Sequence, residues 1–250
     1  IRSLDLTGEV EDARDVTFNN DGTKMFTIDN GPRKVIEYNL STPYNISTAV
    51  FVNEFAVTSQ DTNPMKVQFN NDGSKMFIGG RQSKRVHEYS LSTNFDISSA
   101  SVTYTGNFID VSSQVAADSL FGLTFSPDGT MMFVNEKGDG DDHLHQYSLN
   151  KSFDLSGGAN FIRSADLETQ TANEGQARGI TFNQNGTRLF MVGSGHNEIN
   201  QYTLSEGFNI STASFDGGAE VRKFDGGGGD PNGITFSPSG LRMYVAGIND

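Results

Sequence analysis

VTFNNDGTKMFTI at 16–28 returns as VQFNNDGSKMFI at 67–78, LTFSPDGTMMFV at 123–134, ITFNQNGTRLFMV at 180–192 and ITFSPSGLRMYV at 234–245. Each copy is a short apolar strand, a turn that ends in Gly, and a second apolar strand. The turns place Gly22, Gly73, Gly129, Gly186 and Gly240 where a three-residue hairpin needs a positive φ after a type I turn. Successive glycines lie 51 to 57 residues apart. Four short strands and their turns fill such a period, whereas solenoid coils use roughly 20 to 45 residues per repeat. The unit is therefore a propeller blade.

Within each unit strand A is VTF, VQF, LTF, ITF and ITF, and strand B is KMFTI, KMFI, MMFV, LFMV and MYV. Strand C is VIEYNL, VHEYSL, LHQYSL and INQYTL, and strand D follows a loop, as in AVFVNEFAV at 49–57 and SVTYTGNF at 101–108. Strand B is apolar almost throughout rather than alternating, as expected of a sheet covered on both faces by neighbouring blades. IRSLDL at 1–6 echoes FIRSADL at 161–167, so the chain reads as opening in a strand D. The expectation is one all-β domain over 1–250, a five-bladed β-propeller with about four antiparallel strands per blade. The blades span about 14–57, 64–111, 120–167, 177–224, and 232–250 plus 1–6, with the termini meeting in the last. No fifth strand C is visible. Either that blade is a strand short, or residues past 250 complete it; a fragment of a six- to eight-bladed ring is the alternative.

GGGGDPNGITFSPSGLRMYVAG at 226–247 resembles the YVTN-type repeat, and FSPDG at 125–129 is similar to turns of TolB-like and lactonase-like propellers. Units such as EYSLSTNFDISSAS at 88–101 resemble tandem repeats of surface and virion-associated proteins of marine microbes and their phages. The resemblance covers nearly the whole chain and rests on structural motifs. It implies a propeller and no single activity, because propellers host many unrelated functions.

With 18 Lys and Arg against 31 Asp and Glu, the net charge of −13 opposes binding to phosphate backbones and anionic lipid. No apolar run approaches a membrane span. Neither nucleic acid nor membrane insertion is expected. The absence of Cys excludes disulfides, thiolate metal sites and a Cys nucleophile. The first residue is Ile rather than Met, as a removed leader or a trimmed start would leave it.

Antiparallel strands put the D–A and B–C loops on one face of the ring, and the A–B and C–D loops on the other. The C–D loops STPYNIS, STNFDIS, NKSFDLS and SEGFNIS are near copies, whereas the B–C loops DNGPRK, GGRQSKR, NEKGDGDDH and GSGHNE differ in length and chemistry. Diversified loops on a rigid scaffold are where binding groups sit. The candidate ligand site is thus the D–A/B–C face, with Arg14, Lys66, Phe121, Arg178 and Asn232 at the channel mouth. Its cations either pair with neighbouring carboxylates or hold an anion such as a uronate or sulfated sugar, whose geometry Arg forks match. Glu136, Asp139, Asp141 and Asp142 either form a solvated loop or supply the hard oxygen ligands Ca²⁺ prefers. His143 and His145 point the same way from strand C, and His145 holds a blade-packing position. Tyr44, Phe95, Phe153 and Phe208 either plug the outer blade edge or make a sugar-stacking platform.

Regular repeats, uniform polar loops and the lack of a nucleophile motif favour a noncatalytic extracellular binding propeller, lectin-like, on a secreted, cell-surface or virion-surface protein. A glycan or protein partner and a monomeric state are expected, with no cofactor required and Ca²⁺ an option at the acidic loop. A structural protein-docking ring ranks second. A secreted hydrolase or lyase acting on acidic polysaccharide or a lactone ranks third. Paired-carboxylate chemistry needs two carboxyl groups roughly 5 to 10 Å apart, and Asp12, Asp118, Glu174 and Asp230 are the candidates. No G-x-S-x-G or H-E-x-x-H motif accompanies them.

Overall fold

The computed structural model of the chain describes residues 3–6, 8–115, 120–137, 143–167, 177–193, 198–220 and 230–248. The first blade is β1 (Ala13–Phe18), β2 (Lys24–Asp29), β3 (Lys34–Leu40) and β4 (Ala49–Ala56), and the second is β5 (Pro64–Phe69), β6 (Lys75–Gly80), β7 (Arg85–Leu91) and β8 (Val102–Asp110). The third is β9 (Leu120–Phe125), β10 (Met131–Glu136), β11 (His143–Leu149) and β12 (Ala159–Asp166), and the fourth is β13 (Ala177–Phe182), β14 (Arg188–Gly193), β15 (Glu198–Leu204) and β16 (Ala213–Glu220). Each is a four-stranded antiparallel meander. β17 (Asp230–Phe236) and β18 (Met243–Ile248) pair only with each other. The inner strands pack in the order β1, β5, β9, β13, β17 and back to β1, so they surround an axis.

Four complete blades and one two-stranded sheet replace the expected five blades with termini meeting in the last. A strand D hydrogen-bonds only to a strand C, and among the described residues no strand C lies beside β18. Residues 3–6 accordingly form no strand. Leu4 and Leu6 instead pack as loop residues on the cluster that holds Met25, Tyr38 and Tyr244.

The hairpin glycines adopt the expected conformation, with φ of 70, 73, 67, 70 and 70° at Gly22, Gly73, Gly129, Gly186 and Gly240. The C–D aromatics do something the sequence reading missed. Tyr44, Phe95, Phe153 and Phe208 all have positive φ, between 48 and 61°, which is uncommon for a bulky residue. Each ring lies directly over the hairpin glycine of its own blade, in space a Cβ would fill. Each amide also donates to that glycine's carbonyl at 2.9 or 3.0 Å.

The same rings wedge between blades. Phe95 joins Phe26 of the first blade and Phe69 of the second, and Phe153 joins Phe77 and Phe125. Phe208 completes the trio with Phe133 and Phe182. Tyr44 packs with Phe18, whose ring meets that of Tyr244 of β18 at a tilt with centroids 4.5 Å apart, so the first blade meets the last sheet through the same device. Packed against Phe faces in this way, the rings have no common surface for stacking sugars. At the remaining junction, among the described residues, Phe190 and Phe236 have no third ring, and nothing lies within 4 Å of the Cβ position at Gly240.

Candidate functional site

Every inner hairpin carries a β-bulge at its D–A end. The register shifts fall between Ala13 and Asp15, Pro64 and Lys66, Leu120 and Gly122, Ala177 and Gly179, and Pro231 and Gly233. The extra residues are Arg14, Met65, Phe121, Arg178 and Asn232. A bulge turns a side chain out of the alternating pattern of its strand. Four of the five expected mouth residues therefore share one structural position, whereas Lys66 stands one residue further on, in register with Asp15. The inner strands also begin earlier than the VTF-type motifs, so these residues belong to the strands themselves.

At the mouth, Asn232 is fully buried and ties two guanidinium groups together. Its Oδ1 accepts from Arg178 Nη1 at 2.7 Å and from Arg14 Nη1 at 3.4 Å, while its Nδ2 donates to the carbonyls of Asp230 and Ala13 at 3.1 and 3.3 Å. Each guanidinium also has a carboxylate. Arg14 Nη2 lies 2.6 Å from Asp12 Oδ2, and Arg178 Nη2 lies 2.9 Å from Asp230 Oδ2. Asp12 is half-buried and also accepts from Asn30 Nδ2 at 3.0 Å, whereas the Asp230 side chain is 41% exposed. The cation–carboxylate pairing foreseen from sequence is present, yet it leaves donors unused. Arg14 Nε and Arg178 Nε are buried without a hydrogen-bond partner among the described residues, as is Asp12 Oδ1. Unsatisfied buried charge-bearing groups are costly and mark a place where a polar ligand fits.

Phe121 borders this cluster. Arg81 lies 4.8 Å, Lys137 5.5 Å and Arg178 5.9 Å from its ring centroid. Arg81 and Lys137 come from the B–C side of their blades and were not singled out from sequence; the only signal was the variability of those loops.

Lys66 does not line the rim. Its ammonium reaches across the axis to the carbonyls of Arg14 and Asn232 at 2.9 and 2.5 Å, with Asp15 Oδ1 at 3.8 Å. Asp15 Oδ2 accepts from the amide of Val67 at 3.1 Å. Gly233 makes room for this carboxylate, since a Cβ there would sit 2.6 Å from Asp15 Oδ1. Burial raises the Asp15 pKa to about 6 against the opposing pull of Lys66, and burial lowers that of Lys66 to about 8 against the pull of Asp15. The pair closes the channel beneath the mouth.

Of the proposed metal ligands, Glu136 lies 3.4 Å from His145 Nε2 and 3.6 Å from His143 Nδ1. Asp139, Asp141 and Asp142 lie outside the described residues, as do Asp118 and Glu174 of the carboxylate set. Among the described residues no three His, Cys, Asp or Glu side chains form a group that could hold a metal ion. His145 is a packing residue as expected, buried and with Nδ1 3.0 Å from Ser164 Oγ; burial lowers its pKa.

Solved structures resemble the chain in fold. A putative 6-phosphogluconolactonase from Bacteroides fragilis aligns with a TM-score of 0.54 at 14% identity, and one from Bacteroides uniformis with 0.53 at 15%. In both cases the alignment covers 84% of this chain and 55% of the other, so the chain spans about half the length of those proteins. The β-propeller domain of Myceliophteria thermophila Cps50 (Swd1) aligns with a TM-score of 0.53 at 12% identity, over 99% of this chain and 94% of that one. No curated protein matches the sequence. The sequence profile described as "Lactonase, 7-bladed beta-propeller" matches residues 1–246, and it overturns the reading of the chain as a noncatalytic, lectin-like binder in favour of the hydrolase alternative. Its seven blades exceed the four complete ones described here. The match takes in every inner-strand bulge and nearly the whole sequence: the chain belongs to the lactonase family of β-propellers.

Proposed function

We propose that the chain hydrolyses lactones of sugar acids at the channel mouth, with Arg14, Arg178 and Asn232 as its core. The observation that carries this reading is the pair of guanidinium groups fixed by one buried amide, each with an unused Nε donor facing no partner among the described residues. Lactone opening develops negative charge on the carbonyl oxygen and leaves a carboxylate as product. Preorganised cationic donors stabilise both, and a water-poor pocket strengthens them. Water adds to the carbonyl carbon, the ring C–O bond breaks, and the proton lost by water is matched by one delivered to the released alkoxide. Asp230, the more exposed carboxylate, is placed to take the first proton; Asp12 holds Arg14. The Bacteroides proteins are putative 6-phosphogluconolactonases, and a phosphorylated sugar lactone would suit the cations of Arg81 and Lys137.

Purified protein is expected to consume glucono-δ-lactone and its 6-phosphate faster than buffer alone, read in a pH-stat. Arg178→Gln should lower the enzymatic rate by roughly 10²-fold, the usual cost of one oxyanion donor, with an unchanged melting temperature. Rates equal to the buffer background for both lactones would overturn the reading.

A further inference from the structure

We propose that Ser83, His87 and Tyr104 form a nucleophilic relay on the rim of the second blade, in which Ser83 takes an acyl group from an ester or lactone. Ser83 Oγ lies 3.1 Å from His87 Nε2, and His87 Nδ1 lies 3.3 Å from the Tyr104 hydroxyl. When Nδ1 carries the hydrogen and donates it to the tyrosine oxygen, Nε2 is left to accept from the serine. That is the tautomer a serine nucleophile needs. Asp61, itself buried, accepts from the Ser83 amide at 2.7 Å through Oδ2 and from the Asn63 amide at 2.6 Å through Oδ1, which fixes the serine's backbone. Ser83 is half-buried and follows Arg81, whose guanidinium lies over Phe121 at the mouth.

The repeat supplies an internal control. The loop between β2 and β3 has the same length as that between β6 and β7, and Arg33 at φ 61° matches Lys84 at φ 52°. At the three positions in question the first blade has Pro32, Ile36 and Phe51. The ring facing the strand C tyrosine is Phe51, Phe161 and Phe215 in three blades and Tyr104 only in the second. The scaffold therefore folds with apolar groups at all three places, and the second blade exchanges them together for a hydroxyl, an imidazole and a phenol in hydrogen-bonding order.

In the step itself the Ser83 Oγ–H proton passes to His87 Nε2 as the Oγ–carbonyl bond forms. The ester C–O bond breaks, and the imidazolium returns the proton to the leaving alkoxide. Water repeats the sequence and frees the serine. Burial lowers the His87 pKa to about 4, with Asp61 pulling it up and Arg85 pushing it down, so the imidazole is neutral above that pH and ready to accept. Tyr104 acts through His87 and is a positioning residue.

This inference rests on the lactonase reading only for the identity of the acyl donor, so its test uses a fluorophosphonate probe, which reports serine reactivity without any lactone. Labelling should map to Ser83 by mass spectrometry and disappear in Ser83→Ala. Tyr104→Phe, which installs the ring the other blades carry and so keeps the fold, should slow labelling several-fold, and His87→Gln by about 10²-fold. The labelling rate should stay flat from about pH 5.5 to 8, since His87 is neutral across that range and Asp61, the carboxylate beside the serine, is engaged by the Ser83 and Asn63 amides. Absence of label on Ser83 in folded protein, or a rate indifferent to His87→Gln, overturns the proposal. Labelling of Ser83 without lactone hydrolysis upholds the relay and overturns the preceding reading instead.

Discussion

Asp15 and Lys66 show what one register step does. The bulge in β5 falls on Met65, so the next residue, Lys66, takes the inward position that Gly122, Gly179 and Gly233 hold elsewhere, and its ammonium must find partners on the axis. It finds two bulge carbonyls and Asp15. Both charges are almost wholly buried, and desolvation shifts both toward neutrality. The folded Asp15 pKa, about 6, exceeds the value of 3.8 for a solvated Asp, so the folded state holds more protons than the unfolded state between those values. Its contribution to stability is then fully present below about pH 4 and is lost as pH rises toward 6, by roughly 2–3 kcal/mol. Asp15→Asn removes this titration. Urea unfolding at pH 4, 5 and 6 should show wild type losing stability relative to the variant by about that amount. A constant difference across the three pH values would mean that Asp15 is charged throughout.

Strand C carries a buried polar residue before the tyrosine in the first three blades, Glu37, Glu88 and Gln146, and no local pattern encodes its partner, because that partner lies in the next blade. Glu37 receives Lys24 Nζ at 2.6 Å and the amide of Ile97 at 3.2 Å; Glu88 receives Lys75 Nζ at 3.2 Å and the amide of Leu155 at 2.7 Å. A carboxylate in one blade thus satisfies the backbone of the loop in its neighbour, while the lysine of the adjacent strand B balances its charge. In the third blade the same places hold Gln146 and Met131. Gln146 Nε2 meets Met131 Sδ at 3.4 Å, and Gln146 Oε1 is buried without a hydrogen-bond partner among the described residues. Ile210 occupies the loop position of Ile97 and Leu155 in the following blade. Gln146→Glu alone buries a carboxylate with no strand B lysine beside it, its cross-strand neighbour Arg163 being engaged with Asn209 and Ser211, and should cost about 2 kcal/mol. Adding Met131→Lys should return at least that much and give a melting temperature several degrees above that of the single variant. Equal melting temperatures for the two variants would show that the lysine and glutamate do not meet across the blade.

For the molecule as a whole, the blades were legible because a hairpin turn that needs Gly and a strand covered on both faces leave local signals. Their number was not, because a copy of a strand D motif at 1–6 makes a strand only where a strand C lies alongside. The mouth was legible as a set of positions, but the coupling of Arg14 to Arg178 through Asn232 joins residues from opposite ends of the chain, and no local pattern encodes it. The groups proposed for catalysis left no motif, since they are spread one to a strand. What brings these groups together is closure of the inner strands, and that closure rests on the contact between β18 and the first blade. Tyr244 packs its ring at a tilt against Phe18, centroids 4.5 Å apart, and donates to the carbonyl of Tyr44 at 2.7 Å, and Arg242 Nη1 donates to the same carbonyl at 3.0 Å, as Lys24 does to that of Phe95 one junction on. Tyr244→Ala should therefore cost about 3–5 kcal/mol, the usual loss for a large buried ring. Repeat architectures pass such a loss first to the elements in contact, so hydrogen exchange should accelerate in β1 and β17 before β9 and β10. Loss of protection confined to β17 and β18, with β1 unchanged, would show that the first blade holds its place without the last sheet.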